Sequence, residues 1–409
     1  MGRLRNLRLA GLATVFAVVA AGCSFSATQP ADNVPAGSRS NADWMSSIFA
    51  SKPNVTLGQM LIPGTHDSGT AAIDTSPPCE HTFNVGESTL SQLGGSVNPC
   101  VVTGLTRTQT QSLGEQLESG IRYLDLRVGV PQDQVAREES LPTLTKGTAA
   151  SVPLVLQHVL VSQPLVQGLD EVIGFATKHP KEQVILDFQH LNLPSSPPAV
   201  LSYFRQALDL LLQTYVPTGV AGARPICQSA WSSDVIRVPD RDLGRTVTIG
   251  QAWAANRNLI VLLDPDQLPN RPCYRDRAAS ILSPWPNTES PTMSAAVNHQ
   301  ELLRRQSILN GPPGGCIDGE RQNWCGLFVN QMQLSISSNT QKRCVVWPDN
   351  DCSLFVYSQL VNNDVAELVR QWRESEKLPV NVVIVDYFNY SDPQIAETMI
   401  SLNQRVSPG

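Results

Sequence analysis

The sequence predicts an α/β fold in which parallel strands form a single TIM-type (β/α) barrel. Short apolar runs rich in branched residues alternate with helical stretches along most of the 409 residues. Runs such as Val184–Phe188 are apolar on both faces, which is typical of buried parallel strands. We expect seven or eight such strands in a barrel that is irregular or incompletely closed, with disulfide-bonded loops at its rim.

The first 43 residues precede this pattern. Residues 1–22 combine the basic Arg3, Arg5 and Arg8 with an apolar stretch from Leu9 to Ala20, which predicts a signal peptide. Small residues lead into Cys23, an arrangement that resembles a lipobox, so Cys23 is the predicted lipidation site. Residues 23–43 are poor in large apolar residues and predict a tether. Residues 44–409 are expected to form one barrel domain.

Predicted strands and helices follow one another from residue 59 to residue 403. Strand candidates are short β-branched runs, and helix candidates are the helical stretches that alternate with them. The strands are Gln59–Ile62, Ile121–Leu126, Leu154–His158, Val184–Phe188, Leu259–Leu263, Leu327–Gln331 and Val382–Tyr387. The helices are Leu113–Ser119, Leu165–Lys178, Ala199–Tyr215, Ile249–Arg257, Asp364–Glu376 and Pro393–Asn403.

The cysteines and the net charge exclude several classes of protein. Nine cysteines leave an even eight after Cys23, and export would place these in an oxidising compartment. No pair has CxxC spacing, which argues against zinc. Local pairing is our preferred disulfide map, although eight cysteines allow 105 connectivities; it is Cys79–Cys100, Cys227–Cys273, Cys316–Cys325 and Cys344–Cys352. The net charge is −6, and −6 − 3 = −9 without the leader, which disfavours nucleic-acid binding.

Polar residues cluster where the apolar runs end. In α/β barrels the chemistry lies at the carboxyl ends of the strands, because the loops there meet at one mouth. We therefore expect the following residues to converge: His66, Asp67, Asp125, Arg127, His158, Asp187, Gln189, Asp264 and Asp386.

Six segments in order resemble one family. LIPGTHDSGT (residues 61–70), GIRYLDLRV (120–128), LQHVL (156–160), HPKEQVILDFQHL (179–191), SPWPNT (283–288) and VVIVDYF (382–388) are similar to the X-domain of phosphatidylinositol-specific phospholipases C. The similarity is to the bacterial and X-domain-only forms, and it extends from about Trp44 to the C-terminus.

The resemblance implies a phosphodiesterase with two catalytic histidines. His66 would be the general base that activates an inositol hydroxyl, and His158 the general acid for the leaving diacylglycerol. Asp386 would orient His66, Asp67 would orient His158, and Arg127 would bind the phosphate. Imidazoles near their ordinary pKa suit such roles at neutral pH, and a guanidinium fork matches phosphate oxygens. Four further strand-end residues would bind substrate: Asp125, Asp187, Gln189 and Asp264.

The same resemblance argues against calcium. Calcium-dependent relatives carry Asn after the first histidine and acidic ligands at the positions of Arg127 and Gln189. Since a guanidinium and a divalent ion cannot share one place, we expect no metal or other cofactor. Two further departures bear on specificity: Val159 replaces a usual Gly, and Asp264 stands where inositol-reading relatives often have a basic residue.

The expected partners are a phospholipid or glycerophosphodiester substrate and the membrane that holds the lipid anchor, with no nucleic acid. We expect a monomeric, exported lipoprotein at a bacterial cell surface, also released in part. Two alternatives stay open at this point. One is a metal-dependent glycerophosphodiesterase, and the other is an inactive barrel that binds a headgroup or a protein partner.

Overall fold

The computed structural model describes residues 41–85, 97–135, 141–195, 197–268, 273–311, 316, 323–349, 351–391 and 394–407. The predicted signal peptide, Cys23 and the predicted tether up to residue 40 lie outside the described residues. In the described part of the chain, no helix has both the length and the apolar character needed to cross a bilayer.

Eight parallel strands form the barrel sheet, in the order β7-β6-β5-β2-β1-β10-β9-β8. Their pairing confirms the predicted α/β barrel class. The sheet is open at one seam, because no ladder among the described residues joins β7 to β8. The strands are β1 (Ile62–Thr65), β2 (Tyr123–Gly129), β5 (Val184–Asn192), β6 (Leu259–Leu263), β7 (Arg275–Asp276), β8 (Ile281–Leu282), β9 (Leu327–Gln331) and β10 (Val382–Val385).

The described residues also form fourteen α-helices. They are α1 (Trp44–Phe49), α2 (Pro99–Gly104), α3 (Leu113–Glu118), α4 (Leu165–Lys178), α5 (Pro198–Thr214), α6 (Ile226–Ser229), α7 (Leu243–Thr246), α8 (Ile249–Ala254), α9 (Arg277–Ser280), α10 (Pro291–Leu309), α11 (Ser338–Val346), α12 (Leu354–Gln359), α13 (Asn362–Arg370) and α14 (Ile395–Asn403). Short 3₁₀ turns cover Leu57–Gln59, Gln132–Gln134, Ala149–Ser151 and Asp240–Asp242, and a π-helix covers Gln371–Ser375.

The strand that carries His158 does not belong to the parallel barrel, contrary to the sequence prediction. Strand β3 (Val155–His158) pairs antiparallel with the carboxyl end of β2, and β4 (Leu160–Pro164) pairs antiparallel with β3. A single residue, Val159, connects the two strands at a φ of 63°. The second histidine therefore reaches the mouth from a hairpin that extends above the barrel.

Several predicted boundaries are also wrong, two of them for clear local reasons. The first strand begins at Ile62 and not at Gln59, because Gln59 and Thr56 form a reciprocal capping box around a 3₁₀ turn. The helix predicted over Asp364–Glu376 begins earlier, at Asn362, and changes to π geometry at Gln371. The sequence prediction also missed α10, a helix whose apolar residues do not form one clear stripe.

Helix α1 is fixed to the amino-terminal face of the barrel. Glu182, just before β5, accepts hydrogen bonds from the backbone N–H groups of Met45 and Ser46 at 3.1 and 2.8 Å. Arg122, just before β2, binds Glu182 at 2.8 Å and donates to the carbonyl of Ala42 at 2.6 Å. Because both charged side chains have no exposed surface, their mutual pairing satisfies charges that burial would otherwise penalise.

The four disulfides have the local pairing that the sequence analysis preferred: Cys79–Cys100, Cys227–Cys273, Cys316–Cys325 and Cys344–Cys352. Cys344 and Cys352 pack in an apolar cluster with Leu105 and Leu160, beside the hairpin. Cys325, in contrast, lies two residues before β9. The disulfides therefore stabilise both the loops at the mouth and a loop at the opposite end of the barrel.

Candidate active site

The loop after β1 carries the first histidine and the first aspartate of the site. It is held by the segment between α2 and α3: Gln109 Nε2 donates to the carbonyls of His66 and Val385, both at 3.0 Å. Thr108 Oγ1 donates to the carbonyl of Asp67 at 3.0 Å. Asp67 itself has a φ of 42°, a conformation that Asp adopts more readily than most residues. This bend directs both side chains into the mouth.

His66 and Asp386 form the closest imidazole–carboxylate pair of the site. His66 Nδ1 lies 2.8 Å from Asp386 Oδ1, where β10 ends next to β1. The Asp386 side chain is 3% exposed, whereas that of His66 is 15% exposed. Hydrogen bonding at Nδ1 fixes the ring and leaves Nε2 directed toward the cleft, the geometry that an orienting carboxylate provides.

Arg127, on β2, joins the groups at the centre of the site. Its Nε forms an ion pair with Asp67 Oδ1, and its Nη2 lies 3.3 Å from His66 Nε2. Asp125, two residues earlier on the same strand, accepts a hydrogen bond from the backbone N–H of Asp67 at 3.3 Å. With its amide nitrogen facing Asp125, Gln189 donates to both carboxylate oxygens, at 2.9 and 3.0 Å. Asp125 and Gln189 thus support the residues that face the cleft.

His158 is oriented by a main-chain carbonyl. Its Nδ1 donates to the carbonyl of Thr106 at 2.7 Å, whereas Asp67 Oδ2 is 3.3 Å away. Asp67 is equally far from His66 Nε2, at 3.3 Å. The expected pairing of Asp67 with His158 alone is therefore too simple, because this carboxylate lies between both rings and Arg127.

The two rings open into one cleft of about 510 Å³. Their centroids are 6.2 Å apart, and the rings are inclined at 73°. Arg127 is 18% exposed, so its guanidinium can be reached from the same space. The described lining residues are His66, Leu105, Arg127, His158, Gln189, His190, Ser283, Trp285, Asn287, Gln331, Gln333, Leu334, Ser335, Ile336, Gln341 and Leu354.

The two imidazoles have opposite pKa shifts, contrary to the expectation of ordinary values. Burial alone would lower the pKa of His66, but the carboxylates of Asp67 and Asp386 outweigh burial and raise it to about 9. Burial lowers the pKa of His158 to about 4, since repulsion by Arg127 and His66 adds to burial and Asp67 offsets only part. The free site therefore holds a single proton on the two rings at neutral pH.

The carboxyl groups of Asp67 and Asp125 also have opposite pKa shifts. Burial would raise the pKa of Asp67, yet Arg127 and the two histidines hold it below its ordinary value. Burial raises the pKa of Asp125 to about 7, and the neighbouring charge of Asp67 adds to this shift. Asp67 is thus the permanent anion of the site, while Asp125 titrates near neutrality.

Of the four predicted substrate-binding residues, Gln189 is in the described lining of the cleft, whereas Asp125, Asp187 and Asp264 are not. The Asp187 side chain has no exposed surface, because Tyr123 donates to it at 2.5 Å and Arg277 Nε at 2.6 Å. Asp264 is absent from the described lining of the cleft, and its charged neighbours include Arg277 and Asp187. In this conformation neither carboxylate contacts the cleft. The sequence alone indicated that no cation lies near the position of Asp264, whereas in the structure Arg277 interacts with it electrostatically.

Sequence reasoning missed Thr106 and Gln109, which hold His158 and the His66 loop. Thr106 acts through its carbonyl, which every residue has, so its type gave no signal. Gln109 lies in the polar run TRTQTQS (residues 106–112), whose buried amides and hydroxyls could have indicated a structural role. One short segment therefore positions both rings.

His66, Asp67 and Asp125 could also hold a metal ion, since one donor atom from each lies within 4.8 Å of the others. In the structure the Arg127 guanidinium is paired with Asp67 and lies next to His66 Nε2. A divalent ion bound to these donors would have to displace that guanidinium. The donor set therefore fits a metal less well than it fits the arginine.

Comparisons with known proteins identify similar chains, although no protein-family model matches the chain. PI-PLC X domain-containing protein 3 of Mus musculus is 33% identical over 373 residues, which cover 90% of this chain and 95% of the mouse protein. The variant-surface-glycoprotein phospholipase C of Trypanosoma cruzi is 26% identical over 188 residues, 45% of each chain. Among solved structures, a mutant of the phosphatidylinositol-specific phospholipase C from Staphylococcus aureus has a TM-score of 0.54 and 15% identity, covering 90% of this chain and 97% of that one. At that identity the likeness concerns the fold.

Proposed function

Because the chain belongs to the family of PI-PLC X domain-containing proteins, we propose that it is a phospholipase-C-like phosphodiesterase. Its substrate would be a phosphoinositide or a related glycerophosphodiester. The observation that carries this proposal is the convergence of Arg127 with two imidazoles whose centroids lie 6.2 Å apart in one cleft. A phosphate placed between the rings would meet the guanidinium as well.

The proposed reaction is an internal displacement at phosphorus. A headgroup hydroxyl loses its proton to a ring nitrogen, and its oxygen forms a new bond to phosphorus. The bond from phosphorus to the lipid oxygen breaks, and the second imidazole gives that oxygen its proton. Arg127 offsets the charge that grows on the phosphoryl oxygens. The first products are a cyclic phosphate and a neutral alcohol, with one proton on the ring pair before and after.

We assign the base to His66 and the acid to His158. The assignment rests on Asp386, which orients His66 at 2.8 Å, and on the apolar wall beside His158, where Leu105 packs with Ile336 and would suit a lipid leaving group. In the free site the protonation states are the reverse of those that this assignment requires, because His66 carries the proton and His158 is neutral. A bound phosphate would neutralise Arg127 and so relieve its repulsion of His158, which shifts the proton in the required direction.

A metal-dependent glycerophosphodiesterase is the second candidate, favoured by the donor atoms of His66, Asp67 and Asp125. The ion pair between Arg127 and Asp67 disfavours it. We accordingly propose that the reaction needs no metal and that Arg127 supplies the required positive charge.

Phosphorus NMR tests both proposals in one experiment. The purified protein is incubated with phosphatidylinositol and with glycerophosphoinositol, each with and without EDTA. We expect a cyclic phosphate signal first, at the same rate with chelator. A linear monoester appearing first would indicate attack by water, and loss of activity in EDTA that returns with added cation would establish the metal-dependent alternative. Binding without turnover would indicate an inactive barrel.

We further propose that Cys23 carries the lipid anchor of an exported protein. The support is the basic and apolar leader followed by small residues and Cys23. Expression in a bacterial host with labelled palmitate should label the unmodified chain and leave a Cys23→Ser variant unlabelled. Equal labelling of the two proteins would contradict this proposal.

A further inference from the structure

One wall of the cleft carries an exposed aromatic ring in a restrained position. Trp285 is 57% exposed, yet its indole N–H donates to Ser335 Oγ at 2.8 Å. Pro284 and Pro286 flank it in the sequence and restrict the backbone on both sides. An exposed apolar ring that is held at its edge presents a fixed face to the cleft.

The loop that carries Trp285 is joined to the loop after β9. Ser335 donates its backbone N–H to the carbonyl of Thr288 at 2.9 Å, and Ser337 donates its own to Glu289 Oε1 at 2.6 Å. These contacts stabilise the position of the indole without any ligand. The site is therefore preorganised, which reduces the entropy lost on binding.

The residues around the indole are neutral hydrogen-bonding groups. Gln331 Nε2 donates to the carbonyl and hydroxyl oxygens of Ser283 at 3.1 and 2.9 Å, and Gln333 Nε2 donates to Gln331 Oε1 at 2.7 Å. Asn287 and Gln341 complete this wall. Every charged or titratable residue of the described lining (His66, Arg127, His158 and His190) comes from the catalytic side.

A flat apolar face surrounded by amides and hydroxyls fits a neutral ring that carries many hydroxyl groups. The C–H face of a sugar stacks on an indole, and its hydroxyls exchange hydrogen bonds with amides. A further phosphate would find no cation among the described residues that line the cleft at this wall, and a single aromatic ring is not the cage that quaternary ammonium groups favour. The cleft, about 510 Å³, has room for more than a phosphate.

We propose that Trp285 forms a subsite for a neutral sugar ring attached to the headgroup, so that glycosylated inositol lipids are preferred over the plain lipid. This inference rests on the proposed phosphodiesterase function. The headgroup lies along the Trp285 wall, and the lipid chains leave past the apolar wall formed by Leu105 and Ile336, next to His158.

The test compares two substrates in the same detergent micelles: phosphatidylinositol, and phosphatidylinositol that carries one mannose. We expect kcat/KM to favour the mannosylated lipid by roughly fivefold to tenfold. In a Trp285→Ala variant this ratio should fall to about one. Trp285→Phe keeps a ring and should keep most of the ratio, which controls for misfolding of the alanine variant.

Trp347→Ala is the matched control, because Trp347 is 75% exposed and lies outside the described lining of the cleft. It should leave the ratio between the two substrates unchanged. An unchanged ratio in Trp285→Ala, or no preference in the unmodified protein, would overturn the proposal. Equal losses on both micellar lipids in Trp285→Ala would also overturn it, since they would indicate contact with the lipid surface.

A binding measurement separates this inference from the proposed function. Calorimetry on His158→Ala protein measures the affinities for inositol 1-phosphate and mannosylinositol phosphate, with and without Trp285→Ala. A preference for the mannosylated compound that depends on Trp285 supports the subsite even if neither lipid is cleaved, in which case only the enzymatic proposal fails. No such preference excludes the subsite even if the lipids are cleaved.

Discussion

The two histidines of the cleft come from different kinds of structure. His66 follows a strand of the parallel barrel and contacts two carboxylates, whereas His158 ends the first strand of a hairpin, donates to a carbonyl and contacts one carboxylate. The pKa of the first is raised to about 9, and that of the second is lowered to about 4. Burial acts on both rings in the same direction, so the difference comes from which charges the fold places beside each ring.

The largest expected effect is the loss of either ring. His66→Ala and His158→Ala should each lower kcat by about a thousandfold, because each removes one proton transfer. A substrate with a p-nitrophenol leaving group, which needs no protonation, then distinguishes their roles. We expect His158→Ala to recover most of its activity on that substrate and His66→Ala to recover little. Recovery by His66→Ala and not by His158→Ala would mean that His158 is the base and His66 is the acid.

Removing the carboxylate that distinguishes His66 should have the next largest effect. Asp386→Asn keeps the shape but removes a charge that raises the pKa of His66. We expect kcat/KM to fall by on the order of tenfold to a hundredfold. In the unmodified protein the outer limbs of the kcat/KM profile should lie near pH 4 and pH 9, and the alkaline limb should move to lower pH in the variant.

The control is Glu376→Gln, since Glu376 contacts His299 at 2.5 Å outside the described lining of the cleft. This variant should leave both limbs of the pH profile in place. An alkaline limb that stays fixed in Asp386→Asn would mean that Asp386 does not determine the pKa of His66.

The pH dependence of stability should have opposite signs for the two rings. His66 has a raised pKa when folded, so its contribution to the free energy of unfolding is complete below about pH 6.5 and is lost toward pH 9. His158 has a lowered pKa when folded, so the folded protein loses stability as the pH falls from about 6.5 toward 4. Each slope is at most about 1.4 kcal/mol per pH unit.

Urea unfolding of the unmodified protein, His66→Gln and His158→Gln measures these slopes by difference. Relative to His66→Gln, the unmodified protein should lose stability as the pH rises above 6.5. Relative to His158→Gln, it should lose stability as the pH falls below 6.5. Slopes of the same sign would show that the two environments do not differ as described.

The smallest expected effect concerns Val159, which connects the hairpin strands. A β-branched residue at a φ of 63° is strained, and a Gly would adopt this conformation freely. Val159→Gly should therefore raise the free energy of unfolding by about 1 kcal/mol. Val155→Gly, in the regular strand β3, should lower it by a similar amount or more. A destabilised Val159→Gly protein would mean that the buried isopropyl group contributes more than the strain removes.

The parallel part of the fold was predictable from the sequence, whereas the hairpin was not. The strands over 259–263 and 327–331 and the helix over 165–178 have the predicted bounds, because continuous apolar runs and a clear helical period leave few alternatives. The run Leu154–His158 is equally apolar, but its antiparallel pairing depends on the register with β2, which no local pattern encodes.

The candidate site was likewise only partly predictable from the sequence. Side chains at strand ends were predictable, and the structure brings His66, Asp67, Arg127, His158 and Asp386 together. Their protonation was not predictable, because it depends on distances such as that from Asp67 to each ring. The positions of Asp187 and Asp264 were equally hidden, since the deciding partner, Arg277, lies in a segment between two very short strands.

The attachment of α1 to the amino-terminal face has a consequence for how the molecule would stand on a bilayer. The chain enters the barrel on the side opposite the cleft, and Cys23 lies 41 − 23 = 18 residue steps before the first described residue. A backbone of that length spans at most about 60 Å. A lipid on Cys23, as proposed, would attach the barrel through its amino-terminal face. The cleft, at the opposite face, would then lie away from the point of attachment.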